Sequence, residues 1–201
     1  ATPPEQAAFL RRAAADLGVG RAVLVGHSFG AAVALAWALD HPRGVGAVVC
    51  LGGAMEPWPG GLGPLYPLAA TGLGGATLAP LMSTLARAGL AEPAARAIFA
   101  PQPLPEGYLA HMRLDLTLRP EVVRANLRQV HRLKPALVAM APRYGGLRMP
   151  IELVHGTRDR VVPLEVHARP FAARVPSAHL HEIAGAPLLA HALEAGRALD
   201  P

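Results

Sequence analysis

The stretch Gly26-His27-Ser28-Phe29-Gly30 constrains this chain more than any other. It follows Val23-Leu24-Val25 and precedes the segment AAVALAWAL, residues 31–39. The short apolar run RAVLV reads as a parallel strand covered on both faces. The alanine-rich segment reads as a buried helix over 31–40, ending before Pro42. A serine between the two occupies a sharp strand-to-helix turn with strained backbone angles, so its neighbours must lack bulk, and Gly26 and Gly30 provide that. Such a turn lifts the Ser28 hydroxyl above the sheet edge. It leaves the Phe29 amide at the positive end of a helix, placed to bind an oxyanion. The five-residue pattern is weak by itself; between a strand and a helix it has the context a nucleophile elbow requires. The competing reading is a glycine-rich turn in some other doubly wound fold.

The flanking pattern agrees with an α/β chain. Residues 5–17 carry apolar positions at helical spacing and end at Gly18. Residues 45–51, VGAVVCL, read as a second buried strand closed by Gly52 and Gly53. Strand, tight turn, helix and strand in that order imply a parallel sheet with a right-handed crossover. From Met55 to about Tyr144 the pattern changes: helical stretches at 77–90, 92–99, 106–118 and 120–140 come with no convincing strand. The α/β pattern resumes with a strand at 150–155, a polar loop and a helix over 164–175. A last strand at 178–183 alternates as an edge strand does, and a helical tail covers 188–199. The expected organisation is a core part at 1–54, a helical insertion at 55–145 and a second core part at 146–201.

Composition narrows the function. With 52% apolar and 16% charged residues over 201 positions, a disordered chain is excluded and one well-buried domain is expected. The net charge of +5 is scattered, and the densest basic stretch, Arg113 to Lys134, is broken by Asp115 and Glu121. With only 4% aromatic residues this argues against a nucleic-acid partner. The single cysteine, Cys50, lies in an apolar run and reads as a small buried hydrophobe. Residues 1–20 lack the charge and apolar layout of a signal peptide, and the uncharged stretch 57–86 is too rich in Gly and Pro for a spanning helix. A soluble, cytoplasmic protein is expected. No H-x-x-x-H or C-x-x-C spacing occurs, so no metal is expected.

The segment LVGHSFGAAVALAWALDHP, followed by AVVCLGG, resembles the alpha/beta hydrolase fold family in its capped esterase, lipase and perhydrolase-like branch. The resemblance covers nearly the whole chain. It implies a partial alpha/beta-hydrolase fold, with a parallel sheet flanked by helices and an all-helical cap. The family supplies a catalytic acid within patterns such as H-G-x-x-D-x-x-V-P. Residues 155–163 here read HGTRDRVVP, so by resemblance Asp159 takes that role. The serine at 28 sets this chain apart from epoxide hydrolases and haloalkane dehalogenases of similar layout, which use aspartate, and points to acyl transfer. Ser28 would attack a carbonyl, a histidine would relay its proton, and Asp159 would orient the imidazole.

The histidine departs from the family pattern. Its usual place, in G-x-G-H after the last strand, is held here by Leu188 within Ala184-Gly185-Ala186-Pro187-Leu188. The nearest substitute is His191, close to one helical turn of about 5.4 Å further on. His27 would point away from the nucleophile and His155 would pack a loop. His179 and His181 would share a surface face of the last strand, while His111 and His131 would be solvated in the insertion. Candidate site residues are thus Ser28, Asp159 and His191, with Phe29 as oxyanion donor. A histidine lost through a shifted reading frame is the competing explanation.

The family also has about four strands before the first helix seen here, and the loop after its third strand gives a second oxyanion amide. The chain is therefore expected to be N-terminally truncated, with the Ser28 strand as an exposed apolar edge. Loss of one oxyanion donor costs ~2.7–4 kcal/mol of transition-state stabilisation. Apolar residues such as Trp58, Leu62, Leu73, Leu81 and Met82 would cover the Ser28 pocket or pack the insertion on itself. The implied function is a cofactor-free serine hydrolase acting on a small or medium hydrophobic ester-like substrate. The rivals are a catalytically silent, hydrolase-like binding protein or gene fragment, and a cofactor-free perhydrolase.

Overall fold

A computed structural model describes residues 1–184 apart from 62, 64 and 101. The chain divides into two compact units, one formed by Ala1–Pro59 with the chain from Leu133 onward, the other by Gly60–Arg132. The second unit is narrower at both ends than the insertion expected over 55–145.

The first unit opens with α1 (Pro3–Asp16), started by a reciprocal cap in which the Thr2 hydroxyl accepts from the Glu5 amide and the Glu5 carboxylate from the Thr2 amide. Then follow β1 (Ala22–His27), α2 (Phe29–Asp40) and β2 (Val45–Leu51). In the second unit the described regular elements are helices: α3 (Leu65–Ala70), α4 (Gly72–Leu85), α5 (Ala91–Phe99), α6 (Tyr108–His111) and α7 (Leu114–Thr117). The single helix expected over 106–118 is two short ones, because Arg113 takes a left-handed backbone with φ 46° and interrupts the hydrogen-bond ladder. Within this unit Phe99 is buried, with its ring edge-on to Tyr108 at 4.8 Å, and the Ser83 hydroxyl donates to the Leu118 carbonyl.

Helix α8 (Pro120–Met140) continues across the boundary between the units. The first unit resumes with β3 (Ile151–Gly156), α9 (Ala168–Arg174) and β4 (Ala178–Ile183). The helix expected from Leu164 begins four residues later, since the amides of Val166 and His167 both turn back to the Pro163 carbonyl.

All four strands are parallel, in the order β1-β2-β3-β4. His27 pairs with Leu51, Leu51 with Val154 and Val154 with His181, so the C-terminal ends of the strands form one edge. Leu35, Val48, Cys50, Ile151, Leu153 and Phe171 pack the core at essentially zero exposure. The expectation that β1 is covered on both faces is corrected. Leu24 is buried, whereas Val23 and Val25 on the opposite face stay 61% and 64% exposed. Strand β1 is also the edge of the described sheet, as expected. Among the described residues no helix is long and apolar enough to cross a membrane.

Candidate functional site

Ser28 joins β1 to α2 with φ 52° and ψ −117°, a conformation that L-residues avoid and that costs of order 1–3 kcal/mol to hold. Neighbouring structure holds it there. The Ser28 amide donates to the Leu51 carbonyl at 3.0 Å, and the Ser28 carbonyl accepts from Ala31 and Ala54 at 3.1 Å each. Gly26 is required sterically, because a Cβ there would lie 2.4 Å from the Gly30 carbonyl oxygen. Gly30 is different: a Cβ there would meet nothing within 4 Å. The expected need for two small flanking residues is thus corrected; the bend demands Gly26, whose missing side chain makes room for the backbone of Gly30. Gly53 plays a similar part on the loop after β2, where a Cβ would lie 2.6 Å from the Ala31 Cβ.

Phe29 is the first residue of α2, so its amide belongs to the first turn, whose N–H groups have no intrahelical acceptor. Asp159 follows β3. Its Oδ1 accepts from the amides of Val161 and Val162 at 2.9 Å each, which fixes the carboxylate in a tight loop. Its Oδ2, which receives neither amide, is 4.0 Å from His155 Nε2. His155 is buried and its Nε2 donates to the Val162 carbonyl at 2.7 Å, so that nitrogen is committed to the loop. Ser28 and Asp159 both leave the C-terminal edge of the sheet, on strands separated only by β2. Two inter-strand steps amount to roughly 10 Å.

A second cluster lies on the loop after β2. Glu56 is 4% exposed, with Oε1 buried and without a hydrogen-bond partner among the described residues and Oε2 3.6 Å from Arg174 Nη1. Burial pushes its carboxyl above the usual range, against the opposing pull of Arg174. The Glu56 amide donates to Nδ1 of buried His167 at 3.2 Å, and the Tyr144 hydroxyl donates to the Met55 carbonyl at 2.7 Å. Burial, followed by the neighbouring His155, lowers the His167 pKa to about 4. Among the described residues no group of three or more His, Cys, Asp or Glu is arranged to hold a metal ion.

A family model for the alpha/beta hydrolase fold matches residues 4–194. The chain belongs to the alpha/beta hydrolase fold family. Over 167 residues it is 28% identical to 2-hydroxy-6-oxo-6-phenylhexa-2,4-dienoate hydrolase of Burkholderia cepacia, which covers 82% of this chain. The match spans 55% of that relative's length. An alpha/beta hydrolase fold protein from Burkholderia ambifaria superposes with a TM-score of 0.75 at 20% identity, over 100% of this chain and 73% of its own. A meta-cleavage product hydrolase from Pseudomonas fluorescens IP01 superposes at 0.66 and 19% identity, over 98% of this chain and 68% of its own. At these identities the superpositions speak for the fold.

In this alpha/beta hydrolase fold chain, Ser28, Phe29 and Asp159 lie at the C-terminal edge of the sheet, while Leu188 and His191 fall outside the described residues. His27 is exposed, and His179 and His181 are exposed on one face of β4 beside Glu152, at 3.6 and 2.7 Å. Sequence reasoning missed Glu56 and His167. The only signal was a lone carboxylate just after the glycines that close β2.

Proposed function

We propose that this chain carries the nucleophile and the acid of a serine hydrolase acting on small or medium hydrophobic ester-like substrates. The observation that carries this reading is the backbone of Ser28 at φ 52° and ψ −117°, at the junction of a parallel strand and a helix. Ser28 Oγ attacks the substrate carbonyl carbon and its proton passes to a histidine, for which His191 is the candidate. The Phe29 amide, at the positive helix end, stabilises the resulting oxyanion. Collapse of the tetrahedral intermediate expels the alcohol, which takes the proton from the histidine. Water then releases the acid and restores Ser28. Asp159, its Oδ1 held by two amides, keeps Oδ2 for the imidazole. The name of the Burkholderia cepacia relative adds 2-hydroxy-6-oxo-6-phenylhexa-2,4-dienoate to the substrates that belong in a test panel.

The test is labelling by a fluorophosphonate probe. Attachment at Ser28, lost in Ser28→Ala and in His191→Ala, supports the reading. A second reading, a catalytically silent member of the family, is favoured by a specific observation: ring nitrogens of both buried core histidines, His155 and His167, are engaged by backbone groups. Absence of labelling in a chain whose circular dichroism shows it folded supports that second reading.

A further inference from the structure

The loop after β2 is the seat of the nucleophile. Leu51, the last residue of β2, and Ala54 bond the main chain of Ser28, and Gly52 donates to the Val154 carbonyl of β3 at 2.9 Å. Beyond Ala54 the loop is tied further by hydrogen bonds from Tyr144 to the Met55 carbonyl and from the Glu56 amide to His167 Nδ1. The second spans 111 residues and reaches the segment carrying the acid: His167 follows the turn at Pro163, and Val162 in that turn bonds both Asp159 and His155.

From this geometry we infer that His167 is a positioning residue, a neutral imidazole that couples the loop seating Ser28 to the loop carrying Asp159. The inference rests on the reading of Ser28 and Asp159 as nucleophile and acid. An Nδ1 that accepts an amide proton bears no hydrogen, so the neutral ring is protonated on Nε2. A charged ring would turn an N–H toward the Glu56 N–H, two donors face to face in a buried place. The surrounding groups are the Glu56 carboxyl and Arg174, the pair His155 and Asp159, the Tyr144 hydroxyl, and Lys134 above Trp58 at 5.9 Å from its ring centroid. The Trp58 ring itself meets His167 edge-on at 6.1 Å between centroids. Burial and, after it, His155 work against a charge on His167, and Asp159 works for it; the balance lies on the neutral side.

Two measurements on the full chain test this. Long-range nitrogen–proton NMR of the imidazoles should show His167 as the Nε2–H tautomer throughout pH 5.5–8, with the Glu56 amide protected from exchange. A charged or Nδ1–H ring at pH 7, or a freely exchanging Glu56 amide, overturns the inference whether or not Ser28 is reactive. The second measurement compares His167→Asn, whose side-chain oxygen can still accept from Glu56, with His167→Phe, which keeps a ring beside Trp58 but no acceptor. Fluorophosphonate labelling of Ser28 should stay within about threefold of wild type in the Asn variant. It should fall about tenfold or more in the Phe variant, as misplacement of a reacting group does. Labelling retained by Phe and lost by Asn, with both variants folded, would mean that the ring only fills space. Failure of the wild type to label at all sinks the reading of Ser28 as nucleophile, and the NMR arm still decides the coupling.

Discussion

Gly26 and Gly30 are in such close contact that a methyl group on the first would overlap the carbonyl of the second, at 2.4 Å. The overlap is with backbone, which cannot swing aside as a flexible side chain does. Gly26→Ala is therefore expected to lose several kcal/mol of stability, in the class of overpacking and backbone strain. Gly30→Ala should be neutral or stabilising by up to ~1 kcal/mol, because the position is helical and open. Urea unfolding of the two variants checks this. Equal damage from both would mean that the steric account of the bend is wrong.

Strain at Ser28 leads to a second expectation. Glycine adopts positive φ without penalty, so Ser28→Gly relieves strain of order 1–3 kcal/mol, offset in part by the greater freedom it gives the unfolded chain. Ser28→Ala keeps the strain. The glycine variant should thus be more stable than the alanine variant by about 1 kcal/mol, while neither reacts with fluorophosphonate. Paired denaturation curves decide it, and an alanine variant as stable as the glycine one would remove the evidence that the bend stores strain.

How far this could be read from the residues differs from place to place. Strands at 45–51 and 178–183 have the expected bounds, the first flanked by Gly44 and Gly52 and the second preceded by Pro176 and Ser177, residues that weaken or interrupt a strand. The β1 run was legible as a strand but not as one with a bare face, since Val23 and Val25 are as apolar as residues under a helix. The candidates Ser28 and Asp159 came from short local patterns. His167 did not: its partner is a main-chain amide 111 residues away, and a backbone amide has no identity in sequence. Glu56 looks like an ordinary loop carboxylate until its 4% exposure is known.

In the proposed mechanism Asp159 has two tasks that substitution can separate. Its Oδ1 takes the Val161 and Val162 amides, bonds that asparagine can also accept. Asp159→Asn should hold the loop and stay within ~0.5–1 kcal/mol of wild type, whereas Asp159→Ala strips both amides of their acceptor, of which water replaces that of exposed Val161, and loses about 1–2 kcal/mol. Labelling at Ser28 should fall in both, because an amide does not stabilise an imidazolium as a carboxylate does. A stable, fully reactive Asp159→Asn would dismiss this residue as the acid.

Cys50 is fully buried in β2, and burial pushes its thiol up to about 12. Thiolate is the reactive form, so the folded chain should react with a disulfide reagent at pH 8 only as fast as it unfolds. Stopped-flow absorbance with and without denaturant measures this. Rapid stoichiometric reaction of the folded chain would contradict the packing of β2 between β1 and β3.

The pH dependence of stability should carry the signature of His167 and Glu56, with opposite signs. The folded pKa of His167 is lowered to about 4 from an ordinary 6.5, so the unfolded chain binds its proton more readily. Acidification from about pH 6.5 to 4 then favours unfolding, by roughly 3 kcal/mol at most. Glu56 has a raised folded pKa, so the native state holds its proton more tightly and acidification through the carboxylate range favours folding. Part of the histidine loss is thereby offset. The midpoint of urea unfolding should fall between pH 7 and 4.5 in the wild type. It should fall less in His167→Asn, which has nothing to titrate, and more steeply in Glu56→Gln, where the compensating carboxyl is gone. Parallel curves for all three proteins would show that neither group is held away from its ordinary protonation by the fold.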